Sequence, residues 1–148
     1  MPFAKIILAS DHGGISLKSQ IYSHLQAQQI EVEDLGPFDE QSVDYPDFGE
    51  KAALALKDNP NAAGIIICGS GIGISIAANR HSWIRCALVH DVTTAQLCRE
   101  HNDANMIALG ERVLGINTAL ACVESFLNTS FEGGRHERRV EKLTNLPN

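Results

Sequence analysis

The chain has 148 residues, of which 44% are hydrophobic and 20% charged, and a formal net charge of -6 at pH 7. This composition predicts one globular domain over residues 1–148, and the acidic balance argues against a general binder of nucleic acid or of anionic membranes. No apolar run approaches the roughly 20 residues that span a bilayer, and because the N-terminus runs straight into a strand-like segment we expect no signal peptide.

Strand-like and helix-like segments alternate through the first part of the chain. The apolar run Lys5–Ala9 predicts a strand, and the helical spacing of apolar residues in Ile15–Gln28 predicts a helix. Ile30–Leu35 predicts a second, more polar strand near an edge of the sheet. A glycine and two prolines in residues 36–47 predict a loop, and the alanine-rich Phe48–Leu56 predicts a second helix.

The same alternation continues to the end of the chain. In chain order it predicts strand Gly64–Cys68, helix Ile72–Asn79, strand Ile84–Val89, helix Thr93–Arg99, strand Met106–Leu109, helix Ile116–Leu127 and a short helix Arg135–Leu143. Alternating strands and helices predict an α/β sandwich, in which a five-stranded parallel sheet carries helices on both faces. We expect the strand order 2-1-3-4-5, with ligands bound beyond the carboxyl ends of the strands where the order reverses.

Two polar clusters fall at that predicted reversal. Residues 10–14 follow the first strand and residues 68–73 follow the third, so both clusters face one crevice. The segment 101–103 lies just before the fifth strand and adds further polar groups, although strand ends alone do not place it in the crevice.

Cys68 closes a β-branched run and is followed by a glycine run with Gly69, Gly71 and Gly73 around Ser70. A tight turn that leads from a strand into a helix presents free N–H groups and the positive end of the helix dipole. A thiol in that position ionises more easily than a free cysteine. The stretch therefore supplies an anion cradle together with a candidate base or nucleophile.

Other interpretations of the glycine run remain open. Its G-x-G-x-G pattern departs from the dinucleotide fingerprint G-x-G-x-x-G and follows the third strand, not the first, although Asp91 lies about where a ribose-binding acid would. The glycines could also serve only a tight turn. The other cysteines, Cys86, Cys98 and Cys122, lack zinc or C-x-x-C spacing and are predicted to be buried free thiols in a reducing cytoplasm.

Histidine and arginine residues add candidate site groups. His101 suits a helix end, where a histidine is favourable, but beside Asn102 and in a chain with Cys68 it is also a candidate acid/base. Arg135 and Arg139 share one face of a helix and suit a phosphate dianion, unless they form only a solvated basic face. No histidine pair has metal-ligand spacing with a carboxylate, so we expect no metal site and no cofactor.

Four motifs together resemble the ribose-5-phosphate isomerase B family, which also includes allose-6-phosphate and galactose-6-phosphate isomerases. The motifs are Asp11-His12-Gly13-Gly14, Cys68 through Ser75, His101 through Asn105, and Gly133-Gly134-Arg135-His136 with Arg139. The resemblance implies a cytoplasmic, metal-independent aldose–ketose isomerase with a Rossmann-like three-layer fold. It also implies a homodimer, or a tetramer built as a dimer of dimers, with the site at a subunit interface. Cys68 implies the cysteine subtype.

The resemblance implies a role for each matched residue. His101 opens the sugar ring as acid/base, Cys68 takes the proton from C2 to give a cis-enediolate, and Ser70 hydrogen-bonds the thiolate or a sugar hydroxyl. The implied substrate-binding residues are Asp11 and Asn102 for hydroxyls, the backbone of Gly69, Ser70, Gly71, Ile72 and Gly73 for developing charge, and His12, Arg112, Arg135 and Arg139 for phosphate.

Two other classes of function stay open from the residues alone. One is a cysteine hydrolase or amidotransferase with Cys68 as nucleophile and His101 as base, although the phosphate-binding arginine pair has no purpose there. The other is a nucleotide or sugar-phosphate binding module without turnover.

Overall fold

The computed structural model describes residues 1–146 and consists of a parallel sheet covered by helices. The strands are β1 Lys5–Ser10, β2 Val32–Asp34, β3 Ala62–Cys68, β4 Cys86–Leu88 and β5 Met106–Gly110. The helices are α1 Ile15–Ala27, α2 Tyr45–Asp58, α3 Ile72–Ala78, α4 Val92–Glu100, α5 Ile116–Asn128 and α6 Arg135–Thr144. The predicted α/β fold with five parallel strands is confirmed. Within residues 1–146, no helix combines the length and the apolar character needed to cross a membrane.

The strand order is β2-β1-β3-β5-β4, with every neighbouring pair parallel. The expected order 2-1-3-4-5 is therefore corrected at its far edge, where the last two strands exchange places. All five residues of β5 are buried, whereas the three residues of β4 are half-buried and pair only with β5. A short, half-exposed strand suits a sheet edge, and an apolar, fully buried strand needs neighbours on both sides.

Each face of the sheet carries its own hydrophobic core, because side chains alternate along β1 and β3. Ile6, Leu8, Ile65 and Ile67 pack against residues of α1, α4 and α5 on one face. On the other face Ile7, Ala9, Ile66 and Cys68 pack against residues of α2 and α3. Cys68 therefore belongs structurally to the core, and only its position at the strand end brings it to a surface.

Several element boundaries differ from expectation. The predicted loop 36–47 is wrong in its last residues, because α2 begins at Tyr45 with Pro46 in its first turn. Proline is well tolerated there, since a first-turn N–H has no partner within the helix. The predicted strands Ile30–Leu35 and Ile84–Val89 shorten to three residues each, β2 and β4, because each pairs with a single neighbour at a sheet edge. The remaining elements agree to within two residues at each end.

Gly110 has no side chain, and this allows β5 to lie directly beneath the glycine run. A Cβ at Gly110 would lie 2.6 Å from the carbonyl carbon and oxygen of Ser70, which are backbone atoms that cannot rotate away. We expect Gly110→Ala to lower the free energy of unfolding by about 1–3 kcal/mol, as overpacking does. Urea denaturation at one fixed protein concentration measures this change.

Gly115→Ala is the matched control, since nothing lies within 4 Å of the Cβ that it would add. Gly115 is the N-cap of α5, so a loss of only about 1 kcal/mol or less is expected there. Equal effects of the two substitutions would contradict the close packing of β5 against the glycine run.

Candidate active site

A pocket lies beyond the carboxyl ends of β1, β3 and β5. Its lining residues are Asp11, Tyr45, Cys68, Gly69, Ser70, Ile72, Gly73, Arg112 and Val113. β1 leads into Asp11, β3 ends at Cys68, and β5 leads into Arg112. Seven residues singled out from the sequence therefore share this pocket, while Gly71 and His12 adjoin it in the chain without lining it. The exchange of β4 and β5 matters here, because it brings Arg112 beside the loop that follows β3.

The glycine run holds one backbone N–H group, that of Gly71, close to the Cys68 sulfur. The N–H of Gly71 donates to Sγ of Cys68 at 3.1 Å, and the N–H of Ile72 donates to Oγ of Ser70 at 3.1 Å. Gly71 has a φ of 79°, and a Cβ there would lie 2.7 Å from Leu88. Both constraints require glycine. The turn thus directs a backbone donor at the sulfur of Cys68, a residue that is 5% exposed, and this arrangement suits a thiolate acceptor.

Asp11 and His12 form the wall that follows β1. Oδ1 of Asp11 accepts the N–H of Gly13 at 2.9 Å and caps a short 3-10 turn, which fixes the carboxylate at the strand end. Nδ1 of His12 lies 3.1 Å from the backbone nitrogen of Val43 and 3.2 Å from its carbonyl oxygen, so it accepts from Val43 in one tautomer and donates to Val43 in the other. A neutral His12 that accepts at Nδ1 carries its proton on Nε2 and can donate it to a ligand.

Arg112 lies over the glycine run from the β5 side. Its side-chain atoms Cδ, Nε and Nη1 lie 3.5–3.6 Å from the place of a Cβ on Gly69, and its N–H donates to the Gly69 carbonyl at 2.9 Å. Next to it, Oε1 of Glu111 accepts the N–H of Leu17 at 2.6 Å. A carboxylate at a helix N-terminus is favourable, and this bond ties the Arg112 loop to the first turn of α1.

The second set of predicted residues lies at the opposite ends of the strands, where the strands begin. We call this side of the sheet the amino edge and the side with the Cys68 pocket the carboxyl edge. His101 caps the C-terminus of α4 and precedes β5, whereas Cys68 is paired in register with Gly110 at the end of β5. A five-residue strand is roughly 16 Å long, so about that distance along the strand direction separates His101 from Cys68. Asn102 lies in a groove with Leu143 and Leu146, away from Cys68.

His101 is packed against the start of α6. The rings of His101 and His136 stack with centroids 4.5 Å apart and an interplanar angle of 15°. Burial, with the positive charges of His101 and Arg135, lowers the pKa of His136. The helix α6 also carries Arg135 and Arg139, both exposed, so His101 and the arginine pair form one amino-edge cluster. Within one chain, this cluster does not reach the Cys68 pocket.

The chain matches the family described as Ribose/Galactose Isomerase over residues 6–143. It belongs to this family. Ribose-5-phosphate isomerase B of Escherichia coli K12 is 43% identical over 140 residues, which cover 95% of this chain and 94% of the relative. The resemblance drawn from the four motifs is thereby confirmed.

Solved structures of the ribose/galactose isomerase family share the fold. Ribose-5-phosphate isomerase B of Clostridium thermocellum is 49% identical with a TM-score of 0.93, covering 96% of each chain. The enzyme of Mycoplasma genitalium, solved with bound ribulose-5-phosphate, is 42% identical with a TM-score of 0.91, covering 95% of this chain and 93% of that one.

Tyr45 is a pocket residue that the sequence analysis missed. Its ring lies against the glycine run, because a Cβ on Gly73 would come within 2.5 Å of Tyr45 Cε1. The pair Tyr45-Pro46 held the signal, since proline is common in a first helical turn. Taking Pro46 as a loop residue hid the start of α2 and the aromatic ring beside it.

Cys68 opens onto the pocket, Cys98 and Cys122 are buried elsewhere, and Cys86 lines the groove that contains Asn102. Burial raises the pKa of Cys86, raises that of Cys98 to about 11, and raises that of Cys122. All four cysteines are free, and Cys98 and Cys122 are buried as predicted, whereas Cys86 is only half-buried.

We expect iodoacetamide at neutral pH to alkylate Cys68 before the other thiols, because only a thiolate reacts and the other three pKa values are raised. Peptide mass mapping after brief labelling identifies the modified residue. Labelling in urea, where all four thiols are accessible, is the control. First modification at Cys86, Cys98 or Cys122 would contradict this description of the pocket.

Proposed function

We propose that this chain is a metal-independent isomerase that interconverts ribose 5-phosphate and ribulose 5-phosphate. The observation that carries the proposal is the Cys68 pocket, where a thiol, backbone N–H donors and Arg112 converge. Family membership supports the reaction class. The Escherichia coli relative is a ribose-5-phosphate isomerase B, and the Mycoplasma genitalium enzyme was solved with bound ribulose-5-phosphate. Both support the pentose phosphate as the substrate.

The reaction begins with ring opening. The closed sugar carries a hemiacetal, and His101 exchanges a proton with the ring oxygen and the anomeric hydroxyl to release the aldehyde. The phosphate is held by charge-assisted hydrogen bonds from Arg112, Arg135 and Arg139, with His12 donating through Nε2. Asp11 and Asn102 accept or donate to the sugar hydroxyls and hold C2 near the thiolate.

Isomerisation then moves one proton between neighbouring carbons. The Cys68 thiolate removes the proton from C2, and the electron pair passes to the C1 carbonyl oxygen to give a cis-enediolate. The Cys68 thiol returns the proton to C1 while a proton moves from O2 to O1, which leaves the ketose and the thiolate. N–H groups of Gly69 through Gly73 stabilise the enediolate charge, and one such donor is typically worth about 10²–10³ in kcat.

A second copy of the chain completes the site in this proposal. Cys68 is the last residue of β3, at the carboxyl ends of the strands, and His101 precedes β5, at their amino ends. The two residues of one chain are therefore too far apart to act on one pentose. Apolar side chains lie at and beside the pocket: Ile72 and Val113 line it, Ile76 follows Ile72 by one turn of α3, and all three are more than half exposed. In a homodimer, or a tetramer of such dimers, this apolar rim is covered when the amino-edge cluster of the partner closes the pocket.

We expect Cys68→Ala to lower the rate on ribose 5-phosphate by about 10²- to 10⁴-fold, because no other group replaces the base. The rates on ribose 5-phosphate and allose 6-phosphate are measured with a chelator present. Cys98→Ala, the same change at a buried thiol outside the pocket, is the matched control and keeps its activity. Substantial turnover by Cys68→Ala would contradict the assignment of the base, and no turnover of either sugar by the native protein would contradict the isomerase.

Mixing two inactive variants tests the shared site. Subunit exchange between Cys68→Ala and His101→Ala should restore about a quarter of native activity, because half of the dimers are mixed and each has one intact site. Cys68→Ala mixed with Arg112→Ala is the control, since both changes affect the same edge and mixing creates no intact site. Exchange without recovery in the first mixture would contradict a site built from two chains.

A further inference from the structure

Three metal-ligating side chains meet at the end of α4, and the isomerase mechanism uses only one of them. Nε2 of His101 and Nε2 of His136 lie 3.6 and 3.5 Å from Oε1 of Glu132, and the three ligand atoms lie within 4.8 Å of one another. A tetrahedral ion at about 2.1 Å from each ligand holds them roughly 3.4 Å apart. Two of the three separations are therefore already close to those of a metal site.

The surroundings hold these groups in place. The N–H of Glu132 donates to the Glu100 carbonyl at 3.1 Å, which fastens the carboxylate to the last turn of α4. His101 is the C-cap of this nine-residue helix, whose negative dipole end favours a cation. The rings of His101 and His136 stack with their centroids 4.5 Å apart, which keeps the two imidazoles side by side. Arg135 and Arg139 oppose a cation, so binding is moderate rather than tight.

We propose that His101, Glu132 and His136 bind a divalent transition-metal ion of the zinc and nickel class, and that the bound ion reversibly inhibits the isomerase. Two imidazoles and one carboxylate form a recognised ligand set for such ions and leave a position open for water. The ion occupies the lone pair of His101 Nε2, and that nitrogen then no longer exchanges a proton with the sugar. The inhibitory half rests on the proposed function of His101, whereas the metal-binding half does not.

The spacing of the sequence conceals this cluster. His101 follows α4 and His136 lies in the first turn of α6, far apart in the chain, and Glu132 lies in the loop four residues before His136. The expectation that no histidine pair joins a carboxylate was drawn from local spacing, and the packing of α6 against the end of α4 corrects it. The metal ion is not needed for turnover, so the proposed reaction remains independent of metal.

Ni²⁺ is the probe of choice, because nickel is well suited to imidazole whereas zinc is also selected by thiolates, and the chain has four free cysteines. Calorimetric titration of the whole protein with NiCl₂ measures binding, and isomerase rates over the same concentrations measure inhibition. Glu132→Gln removes one ligand. Glu124→Gln is the matched control, because Oε1 of Glu124 lies 2.7 Å from Nε2 of His24, a histidine–glutamate pair elsewhere.

We expect saturable Ni²⁺ binding that Glu132→Gln weakens by at least about tenfold, the scale on which even supporting groups affect metal sites. Inhibition should shift by the same factor, Glu124→Gln should change neither, and a chelator should restore full activity. Binding that Glu132→Gln leaves unchanged overturns the site. Binding that depends on Glu132 without inhibition supports the site and overturns its control of His101. If the protein proves inactive without metal, the proposed function fails while the calorimetry still decides the site.

Discussion

The common direction of the strands is the constraint on which the rest of the structure depends. In a parallel sheet every loop that follows a strand emerges at one edge, and every segment that precedes a strand lies at the other. Asp11 and Arg112 follow β1 and β5, and Cys68 is the last residue of β3, so the three residues meet in one pocket. His101 precedes β5 and lies at the opposite edge. A reaction that needs both Cys68 and His101 thus calls for a second chain.

Close backbone packing makes the pocket possible at the carboxyl edge. Gly110 lets β5 pass beneath Ser70, and Gly71 turns the chain into α3 with a positive φ while its N–H donates to Cys68. A side chain at either position would push the loop away from the strand ends. The glycines therefore allow the thiol at the end of a buried strand to lie at a polar surface.

At the amino edge, His101 has neighbours that suit two different ligands, a sugar phosphate and a metal ion. His101 lies on the end of α4, stacked on His136 and close to Glu132, in a neighbourhood that also contains Arg135 and Arg139. The arginines favour an anionic substrate, whereas the two imidazoles with a carboxylate favour a metal ion. The sugar and the metal ion would both use the His101 imidazole, so substrate and metal are expected to compete there.

The sequence by itself determined the element order, the parallel sheet and the identity of the residues around Cys68, because apolar periodicity and glycine runs are local signals. It did not determine that β5 lies between β3 and β4, since that depends on which strand buries both faces. It missed Tyr45, which a helix start at Pro46 brings against Gly73. Only the tertiary structure decided that the amino-edge cluster lies away from the pocket and that Glu132 joins two histidines, because both depend on the packing of segments distant in the chain.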